Sequence, residues 1–512
     1  MKDGRVNGAA ADEVSGLRAQ VGELSRLVGK QQQTIESQKV TIEGLLKRLY
    51  GRKTERFDPS QQQFDGLVIE ASDAAAAAGE SEDDVPEPPA AGGVVAKRRR
   101  PYNRHPLPEQ LRREVVVLEV SEAERVCECG KACVRIGVEV TERLDYTPSS
   151  MFVRRYERPM YACGCGEAGV RTAALPETVV EKGLAEVGLV AQVLVSKYAD
   201  HLPLYRQEQI YARQGVRLSR RTLCDWVQAG GAALALLRER QRRTILDLGV
   251  AQSDDTPVDL LQDEGPPKTA RLWVSVAGYG PPACVYDFTR DRGGEHPKAQ
   301  FKGFAGKLVC DAYGGYAPLF ETNRGIVPSG CWAHTRRYFH ESLTTQPEEA
   351  SEVMVAIREL YRVEAEVRGK PAEEILAARE EQSRPKVDRL EELLKGWRGK
   401  WLPKSPMGTA VEYALGIWER LQVYLTDGRV PIDNNAAERA IRPVAIGRKN
   451  WLFVGSEAGG EAGAIILGLV QTCKLIEVDP WRYLRDVLSS VGSHPSSRID
   501  ELLPQQWKAA HP

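Results

Sequence analysis

The chain has 512 residues, enough for about three domains, and its 70 Lys and Arg residues balance 71 Asp and Glu residues. No apolar run approaches the roughly 18 residues that span a bilayer, and the N-terminal MKDGRVNGAAADEV lacks the apolar core of a secretory signal. Ten cysteines are too few for a disulfide scaffold. These features exclude membrane-spanning and secreted classes, and they favour the cytoplasm.

The first 50 residues carry an apolar repeat with alternating steps of three and four. It runs from Val14 to Leu49, with Gln31 and Gln38 at two seam positions. About five heptads of this kind predict a coiled coil over residues 12–50 that joins copies of the chain. The alternative is a single helix that packs on its own protein.

Charge is segregated along the next 60 residues. Residues 58–96 hold nine acidic residues and no Lys or Arg, in an Ala- and Pro-rich context that predicts a disordered acidic linker. The following KRRRPYNRHPLPEQLRR is strongly basic. Arg98, Arg99 and Arg100 are therefore candidate contacts to a nucleic-acid backbone; the alternative is a solvated tail that neutralises the linker.

Cysteines are clustered between residues 126 and 166. VCECGKAC and MYACGCG flank a segment with the alternating pattern of β-strands. Four thiolates in this arrangement suit a zinc ion in a small β module within residues 97–175. The candidate ligands are Cys127, Cys129, Cys163 and Cys165, with Cys133 as a substitute. Both pairs are C-x-C rather than C-x-x-C, and the alternative is a module with free thiols.

Residues 185–245 have the pattern of a helix-turn-helix. Gly215 suits the turn, Ser219 is a natural N-cap, and the second helix has an apolar face formed by Leu223, Trp226 and Val227. Basic residues surround the turn and are predicted to contact DNA: Arg213, Arg217, Arg220 and Arg221. The alternative is a helical hairpin with a solvated basic edge.

From residue 246 onwards, short β-strand patterns predict a mixed α/β sheet. Three successive strands, a helix-like interval and a fourth strand are indicated by LGVAQSDDTPVDLL, RLWVSVAG, PPACVYDFT and GKLVCDAYGGY. Asp254 and Asp255 are placed at the end of the first strand and Asp311 at the end of the fourth. Glu438 lies near the start of a later helix, for which Asn434 or Asn435 is a candidate cap.

Two aspartates on adjacent strands and a glutamate on a facing helix can bind two Mg²⁺ (or Mn²⁺) ions about 4 Å apart. The predicted ligands are Asp254, Asp311 and Glu438. Basic residues after the glutamate are candidates for flanking phosphates or for helix stabilisation alone: Arg439, Arg442, Arg448 and Lys449. VGSEAGGEAG, with Ser456, Gly459 and Gly460, indicates a close backbone approach, for which DNA is a candidate partner.

Two further segments lie between Asp311 and Glu438. CWAHTRRYFHE offers Cys331, His334 and His340, which either bind a metal ion or pack within the protein, and its Arg336 and Arg337 are candidates to face DNA. Residues 345–425 are helical by period and predict a helical insertion in the domain that carries Asp311 and Glu438.

At the residues quoted above, the chain resembles DDE transposases of the IS66 insertion-sequence family. The matching sequence motifs occur in the same order as in the family and span roughly residues 15–490. The most specific motif is IDNNAAERAIRPVAIGRKNWLFVGSEAGGEAGA. The resemblance assigns the family's two aspartates to Asp254 and Asp311 and its glutamate to Glu438. Where the family usually has ADET this chain has SDDT, so Asp255 stands in place of a glutamate.

The resemblance implies a ribonuclease H-like core that hydrolyses DNA at the element's ends with Mg²⁺ and joins the freed 3′-hydroxyl to target DNA. The implied partners are the terminal inverted repeats, target DNA, a second copy of the chain and two small accessory proteins. Competing functions are a DNA-binding regulator without catalysis and a ribonuclease H-like structure-specific nuclease. In this prediction the catalytic domain covers residues 246–490 and a tail covers 491–512.

Overall fold

The computed structural model describes residues 107–511 except positions 108, 110, 148–149, 163–168, 177, 181–182 and 263. The predicted coiled coil, the acidic linker and Arg98 to Arg100 lie outside the described residues. The described residues form two compact units, one of residues 329–433 and the other of residues 107–328 with 434–511. No helix in the described part is long and apolar enough to cross a membrane.

The larger unit begins with a small sheet that contains the predicted strands between the cysteines. Its order is β1-β3-β2, with β4 paired to β3, and β2 and β3 form an antiparallel hairpin. Leu144 and Val153 are fully buried on its inner face. The strands are β1 (Arg113–Val117), β2 (Val134–Thr147), β3 (Ser150–Ala162) and β4 (Arg171–Thr172).

Three helices follow, and the second and third form the predicted helix-turn-helix. Gly215 adopts a left-handed conformation with φ of 84° in the turn, and the Ser219 hydroxyl accepts a hydrogen bond from the backbone N–H of Thr222 as an N-cap. Leu223, Trp226 and Val227 are buried, as predicted. The helices are α1 (Val187–Tyr198), α2 (Leu204–Arg213) and α3 (Arg220–Asp247).

A second sheet forms the centre of the larger unit. β5 pairs antiparallel with β6, β6 pairs antiparallel with β7, and β5 pairs parallel with β8 on its other side. The order β7-β6-β5-β8-β9 confirms a mixed α/β sheet. The elements in chain order are β5 (Val250–Leu260), β6 (Lys268–Ala277), β7 (Cys284–Thr289), α4 (Glu295–Gln300), β8 (Gly306–Val309), α5 (Ala317–Thr322) and β9 (Ile326–Ser329).

Residues 329–433 form a helical unit that contains the predicted insertion. Trp332 is fully buried and stacks edge-on against Trp418, with ring centroids 5.7 Å apart. The buried Arg379 guanidinium forms two hydrogen bonds of 2.8 and 2.7 Å with Glu364. The helices are α6 (Trp332–Ser342), α7 (Pro347–Glu366), α8 (Ala372–Ala378), α9 (Arg384–Trp397), α10 (Pro406–Gly416) and α11 (Trp418–Leu421).

The chain then returns to the larger unit and covers the second sheet. Apolar residues of α12 and α13 pack on one face of the sheet, and Phe301, Phe304 and Tyr316 pack on Trp273 at the other face. Residues 496–510 are mostly helical, and Ile499 and Leu502 join the core that α1 and α3 share. The elements are α12 (Asn435–Trp451), β10 (Phe453–Val454), α13 (Glu457–Leu475), α14 (Pro480–Ser490) and α15 (Pro504–Ala510).

Candidate active site

Asp254 and Asp311 come together because β5 and β8 are parallel neighbours. Gln252 pairs with Val309 in the last pair of that ladder. Asp254 lies two residues after Gln252, and Asp311 lies two residues after Val309. The two aspartates are therefore at the same height along the two parallel strands, just past the end of β8. The prediction that Asp254 ends its own strand was wrong, because β5 continues to Leu260 along β6.

Helix α12 brings Glu438 to the two aspartates. The Asn434 side-chain amide donates to the Ser253 carbonyl at 2.9 Å, and the backbone N–H of Ala437 donates to Gln252 Oε1 at 3.3 Å. These bonds attach the first turn of α12, which contains Glu438, to the residues just before Asp254. Asn434 holds the N-cap position but makes no side-chain cap bond there, because its amide is directed at β5.

A proline interrupts the hydrogen bonding of α12 one turn after Glu438. Pro443 has no N–H to donate to the carbonyl of Arg439, four residues earlier. The hydroxyl of Tyr286, on β7, donates to the carbonyl of Ala440 in the same turn. The sheet therefore bonds to the helix at its first turn and again near the proline, which fixes α12 across the strands from β5 to β7.

The pKa of Asp254 reflects three carboxylates sharing one half-buried space. Burial raises the pKa of Asp254 well above its ordinary value, and the charges of Asp311 and Glu438 raise it further, while a hydrogen bond from the Asp255 N–H lowers it. Clustered carboxylate oxygens are the donors that hard divalent cations prefer. The donor set therefore fits Mg²⁺ or Mn²⁺.

Asp255, unlike its neighbour Asp254, forms ion pairs with arginine side chains. Successive side chains of a strand point to opposite faces. The Asp255 side chain is only 2% exposed and forms ion pairs with Arg271, at 3.1 Å, and Arg292, at 2.7 Å. Burial raises the pKa of Asp255, whereas the hydrogen bond from Arg292 and the charges of both arginines lower it. Its oxygens are thus occupied by guanidinium groups.

Arg292 connects Asp255 to the loop that carries Asp311. Its guanidinium lies 3.6 Å from the centroid of the Tyr313 ring, and the Tyr313 hydroxyl donates to the Arg292 carbonyl at 2.5 Å. The Tyr313 N–H donates to Asp311 Oδ1 at 3.1 Å. Arg292 Nη2 is 4.0 Å from Asp311 Oδ2, a separation too long for a hydrogen bond.

The basic residues of α12 divide into two groups. Arg439, Arg442 and Lys449 are exposed, and their spacing of three and seven residues places them along one side of the helix. Arg448 instead donates to the Thr256 hydroxyl at 3.2 Å and to the Pro257 carbonyl at 2.8 Å. The exposed group is available to phosphates, whereas Arg448 attaches the helix to β5.

The glycine-rich segment VGSEAGGEAG packs closely against another part of the protein, strand β7. The Ser456 hydroxyl accepts from the Gly459 N–H at 3.1 Å and caps α13. A Cβ atom at Gly460 would lie 2.6 Å from the Phe288 ring, so α13 can approach β7 this closely only with glycine there. The prediction that DNA explains the glycine at position 460 was therefore wrong.

The basic residues of the helix-turn-helix lie on its surface. Arg213, Arg217, Arg220 and Arg221 are exposed, and Arg220 Nε is 3.6 Å from a Glu208 carboxylate oxygen. A positively charged surface of this kind suits a phosphate backbone. The DNA contact itself remains a prediction.

The first cysteine cluster forms a tight loop. Gly130 N–H donates to the Cys127 carbonyl at 2.8 Å, Cys127 N–H donates to the Lys131 carbonyl at 2.9 Å, and Val126 forms a bridge with Ala132. Cys127 is buried, Cys129 is exposed and Cys133 is intermediate. Cys163 and Cys165 lie outside the described residues, so the four-ligand set stays a prediction.

Within the helical unit, Cys331 and His334 lie at the start of α6. Cys331 is buried, and its Sγ atom is within 4.8 Å of a ring nitrogen of His334. Burial and the Arg337 charge lower the pKa of His334 to about 4, so the imidazole is neutral at pH 7. A neutral imidazole is compatible with metal binding and with packing, and both alternatives stay open.

Several residues that shape this site were missed by sequence reasoning. Arg271, Arg292 and Tyr313 surround Asp255 and Asp311, and Gln252 holds α12. Gln252 could have been noticed in the sequence only as a polar residue within the apolar start of β5. Nothing in the spacing of TRDRGGE distinguishes Arg292 from Arg290, whose side chain is 72% exposed.

Family profiles match most of the chain. The profile described as "Transposase IS66 family" matches residues 182–462, and "IS66 C-terminal element" matches residues 468–505. The profile for the zinc-finger binding domain of transposase IS66 matches residues 124–166. One described as "Transposase C of IS166 homeodomain" matches residues 38–116.

Full-length similarity agrees with the profiles. An uncharacterized protein of Sinorhizobium fredii, y4hP, is 33% identical over 92% of this chain and 88% of its own length. A second from the same organism, y4qI, is 38% identical over 76% of this chain and 75% of its own length. The chain therefore belongs to the IS66 family of transposases, as its sequence motifs indicated.

Proposed function

We propose that this protein is a DDE transposase that cuts DNA at the ends of its insertion sequence and joins the freed 3′-hydroxyl to target DNA. Asp254, Asp311 and Glu438 are its catalytic carboxylates. The observation that carries the proposal is their convergence: Asp254 and Asp311 each lie two residues beyond the last pair of the β5–β8 ladder, and the turn of α12 that contains Glu438 is hydrogen-bonded to the residues just before Asp254. Carboxylates on rigid elements are the groups that hold divalent cations for phosphoryl transfer.

The sheet supports a ribonuclease H-like core. Three antiparallel strands in sequence, β5 to β7, are followed by β8 and β9 on the other side of β5. The first aspartate lies on the central strand and the second follows its parallel neighbour. The helix that carries the glutamate packs on the same strands through Asn434 and Ala437.

Bound Mg²⁺ or Mn²⁺ would polarise the phosphate, activate water or the 3′-hydroxyl, and stabilise the leaving oxygen. The protein's own part is to hold the ligands without rearrangement. Asp254 is fixed on a paired strand, Asp311 by the Tyr313 N–H, and Glu438 by the bonds between α12 and β5. Pre-organised ligands lower the cost of reaching the transition state.

DNA binding is assigned to exposed basic surfaces in both the helix-turn-helix and the catalytic region. Arg439, Arg442 and Lys449 extend from Glu438 along about 15 Å of helix, at 1.5 Å per residue. They would contact phosphates beside the scissile bond, while the terminal inverted repeats are read by the helix-turn-helix. Arg217, Arg220 and Arg221 would bind the backbone there, with Arg98 to Arg100 as further contacts.

The remaining assignments rest on sequence and family. Zinc bound by Cys127, Cys129, Cys163 and Cys165 would hold the small β module together. Residues 12–50 would form a coiled coil between copies, and removing them should reduce the molar mass measured by light scattering. Two small accessory proteins are proposed partners, and the proposed activity belongs to the bacterial cytoplasm, where chromosomal DNA lies.

The test is cleavage of element-end DNA with Mg²⁺ and the accessory proteins. The wild-type protein should cleave, and Asp311→Asn should lose activity by at least about a thousandfold, since it removes a metal ligand. Asp259→Asn is the matched control, an exposed acid further along β5. Equal cleavage by wild type and Asp311→Asn would contradict the active site. DNA binding without cleavage by all three proteins would favour the regulator.

A further inference from the structure

The exposed side of α12 carries an apolar side chain among its basic ones. Arg439, Arg442 and Lys449 are exposed, and the exposed Ile446 lies on the same side of the helix, between Arg442 and Lys449. Among the described residues, none of the three cations forms an ion pair. Residues 439–456 include four basic residues and no acidic residue. This side of α12 is therefore suited to an anionic partner that also offers an apolar surface.

The helix is followed at once by two more exposed apolar residues, Leu452 and Phe453. Leu452 has 63% of its surface exposed, and its φ of 64° is a conformation that glycine adopts readily and leucine rarely. An exposed leucine gains little from core packing that would offset such strain. Folding therefore does not explain why this position holds a leucine.

Bonds on both sides hold Leu452 in this conformation. Its N–H donates to the Arg448 carbonyl at 2.8 Å, in the last hydrogen bond of α12. The Arg448 side chain donates to the Pro257 carbonyl of β5 at 2.8 Å, and the residues after Leu452 pair with β5 as β10. Leu452 and Phe453, together called the apolar tip, are thus held firmly at the end of the basic side of α12.

We propose that the apolar tip inserts between two bases of the DNA whose phosphates the basic side of α12 contacts. The inference rests on the proposed function. A duplex has phosphates outside and apolar base faces inside, and apolar side chains beside cations are used by proteins to unstack and kink it. Leu452 lies 14 residues beyond Glu438, about 21 Å along a helix at 1.5 Å per residue. That is the length of about six base pairs at 3.4 Å each, so the unstacked step should lie within this distance of the scissile bond.

The test is the fluorescence of 2-aminopurine in element-end DNA bound to the full-length protein in EDTA. The probe is placed at one position at a time, within about ten base pairs on either side of the scissile phosphate. Saturating wild-type protein should raise the fluorescence at one or two neighbouring positions by about threefold or more, because unstacking relieves quenching by the adjacent bases. Leu452→Gly and Phe453→Ser should each remove at least about half of this increase.

Three comparisons separate this role from folding and from phosphate binding. Leu452→Gly relieves the strain at φ 64°, so its melting temperature should equal or exceed that of wild type. Leu475→Ser removes a leucine of similar exposure, 50%, at the end of α13, and should leave the fluorescence unchanged. Arg442→Ala should weaken DNA binding but should leave the fluorescence of the saturated complex unchanged.

The proposal is overturned if the DNA binds and no probe responds, or if Leu452→Gly and Phe453→Ser both give the wild-type increase. It is also overturned if Leu475→Ser removes the increase to the same extent. Reduced self-association of Leu452→Gly with unchanged fluorescence would assign the apolar tip to a contact between copies instead.

Cleavage in Mg²⁺ is measured separately, so that a failure of the proposed function can be recognised. Asp311→Asn keeps the apolar tip and should raise the fluorescence as wild type does, although it should not cleave. Equal cleavage by wild type and Asp311→Asn would contradict the proposed active site, which is a different result from a missing fluorescence increase. Failure to bind the DNA at all would overturn the proposed function and this inference together.

Discussion

Replacing Asp254 by asparagine should stabilise the metal-free protein while abolishing its proposed activity. Asp254 is half-buried, and burial together with Asp311 and Glu438 raises its pKa well above the ordinary value. At about 5 Å, a separation typical of charged groups that shift each other's pKa, two like charges repel by about 3 kcal/mol at an effective dielectric constant near 20. Screening by solvent at a half-buried site reduces the gain expected from Asp254→Asn to about 2 kcal/mol.

The pH dependence of this effect has a definite sign. A carboxyl group whose native pKa exceeds its unfolded value of about 3.9 binds more protons in the native state, so wild-type stability falls as the pH rises through the native pKa. The asparagine has no such proton to lose. The advantage of Asp254→Asn should therefore be largest near neutral pH and should shrink as the pH falls towards about 4.

The assay is thermal unfolding in EDTA at about pH 7.5 and about pH 5, with Asp259→Asn as an exposed control on the same strand. About 2 kcal/mol corresponds to an increase in melting temperature of about 4 to 8 °C, whereas the control should change little. Excess Mn²⁺ should stabilise the wild-type protein more than the variant. The reasoning is refuted if Asp254→Asn melts at or below wild type at pH 7.5, or if its advantage grows on acidification.

Three further predictions concern DNA, zinc and helix capping. In a salt series with duplex DNA, Arg442→Ala should weaken binding and reduce the salt slope by about one, whereas Arg448→Ala should mainly lower the melting temperature. Elemental analysis should find zinc in the wild-type protein and less in Cys127→Ser; folded wild-type protein without zinc would contradict the assignment. Ser219→Ala should cost about 1 kcal/mol in urea unfolding, and an unchanged midpoint would show that the cap contributes nothing.

Local features of the structure could be predicted from the sequence because their causes are local. Alternation and turn residues predicted β5 to β8, and Ser219 before a periodic apolar face predicted the N-cap of α3. The motif around Asp254 and Asp311 indicated adjacent strands. The parallel pairing of β5 and β8 then sets both residues at one level.

The contacts that complete the site depend on residues far apart in the chain. Arg292 reaches Asp255 across 37 residues, and Arg448 reaches Thr256 across 192. A sequence pattern can indicate that such a residue is charged or exposed, but it does not identify the residue with which its side chain forms a hydrogen bond. For that reason the sequence leaves Arg448 as a candidate both for phosphate contact and for helix stabilisation, whereas in the structure its hydrogen bonds attach α12 to β5.

The bonds that assemble the site are uncharged, so they do not depend on the charge of the three carboxylates. Two hydrogen bonds assemble it, one from Asn434 to Ser253 and one from Ala437 to Gln252, and both join an amide N–H to a carbonyl oxygen. Neither bond therefore depends on pH or on a cation. Each hydrogen bond contributes about 1 kcal/mol, and apolar packing of α12 on the sheet adds to it. The three carboxylates are thus held near one another by groups that do not share their titration, and under the proposed function the same bonds would bring the metal ligands together.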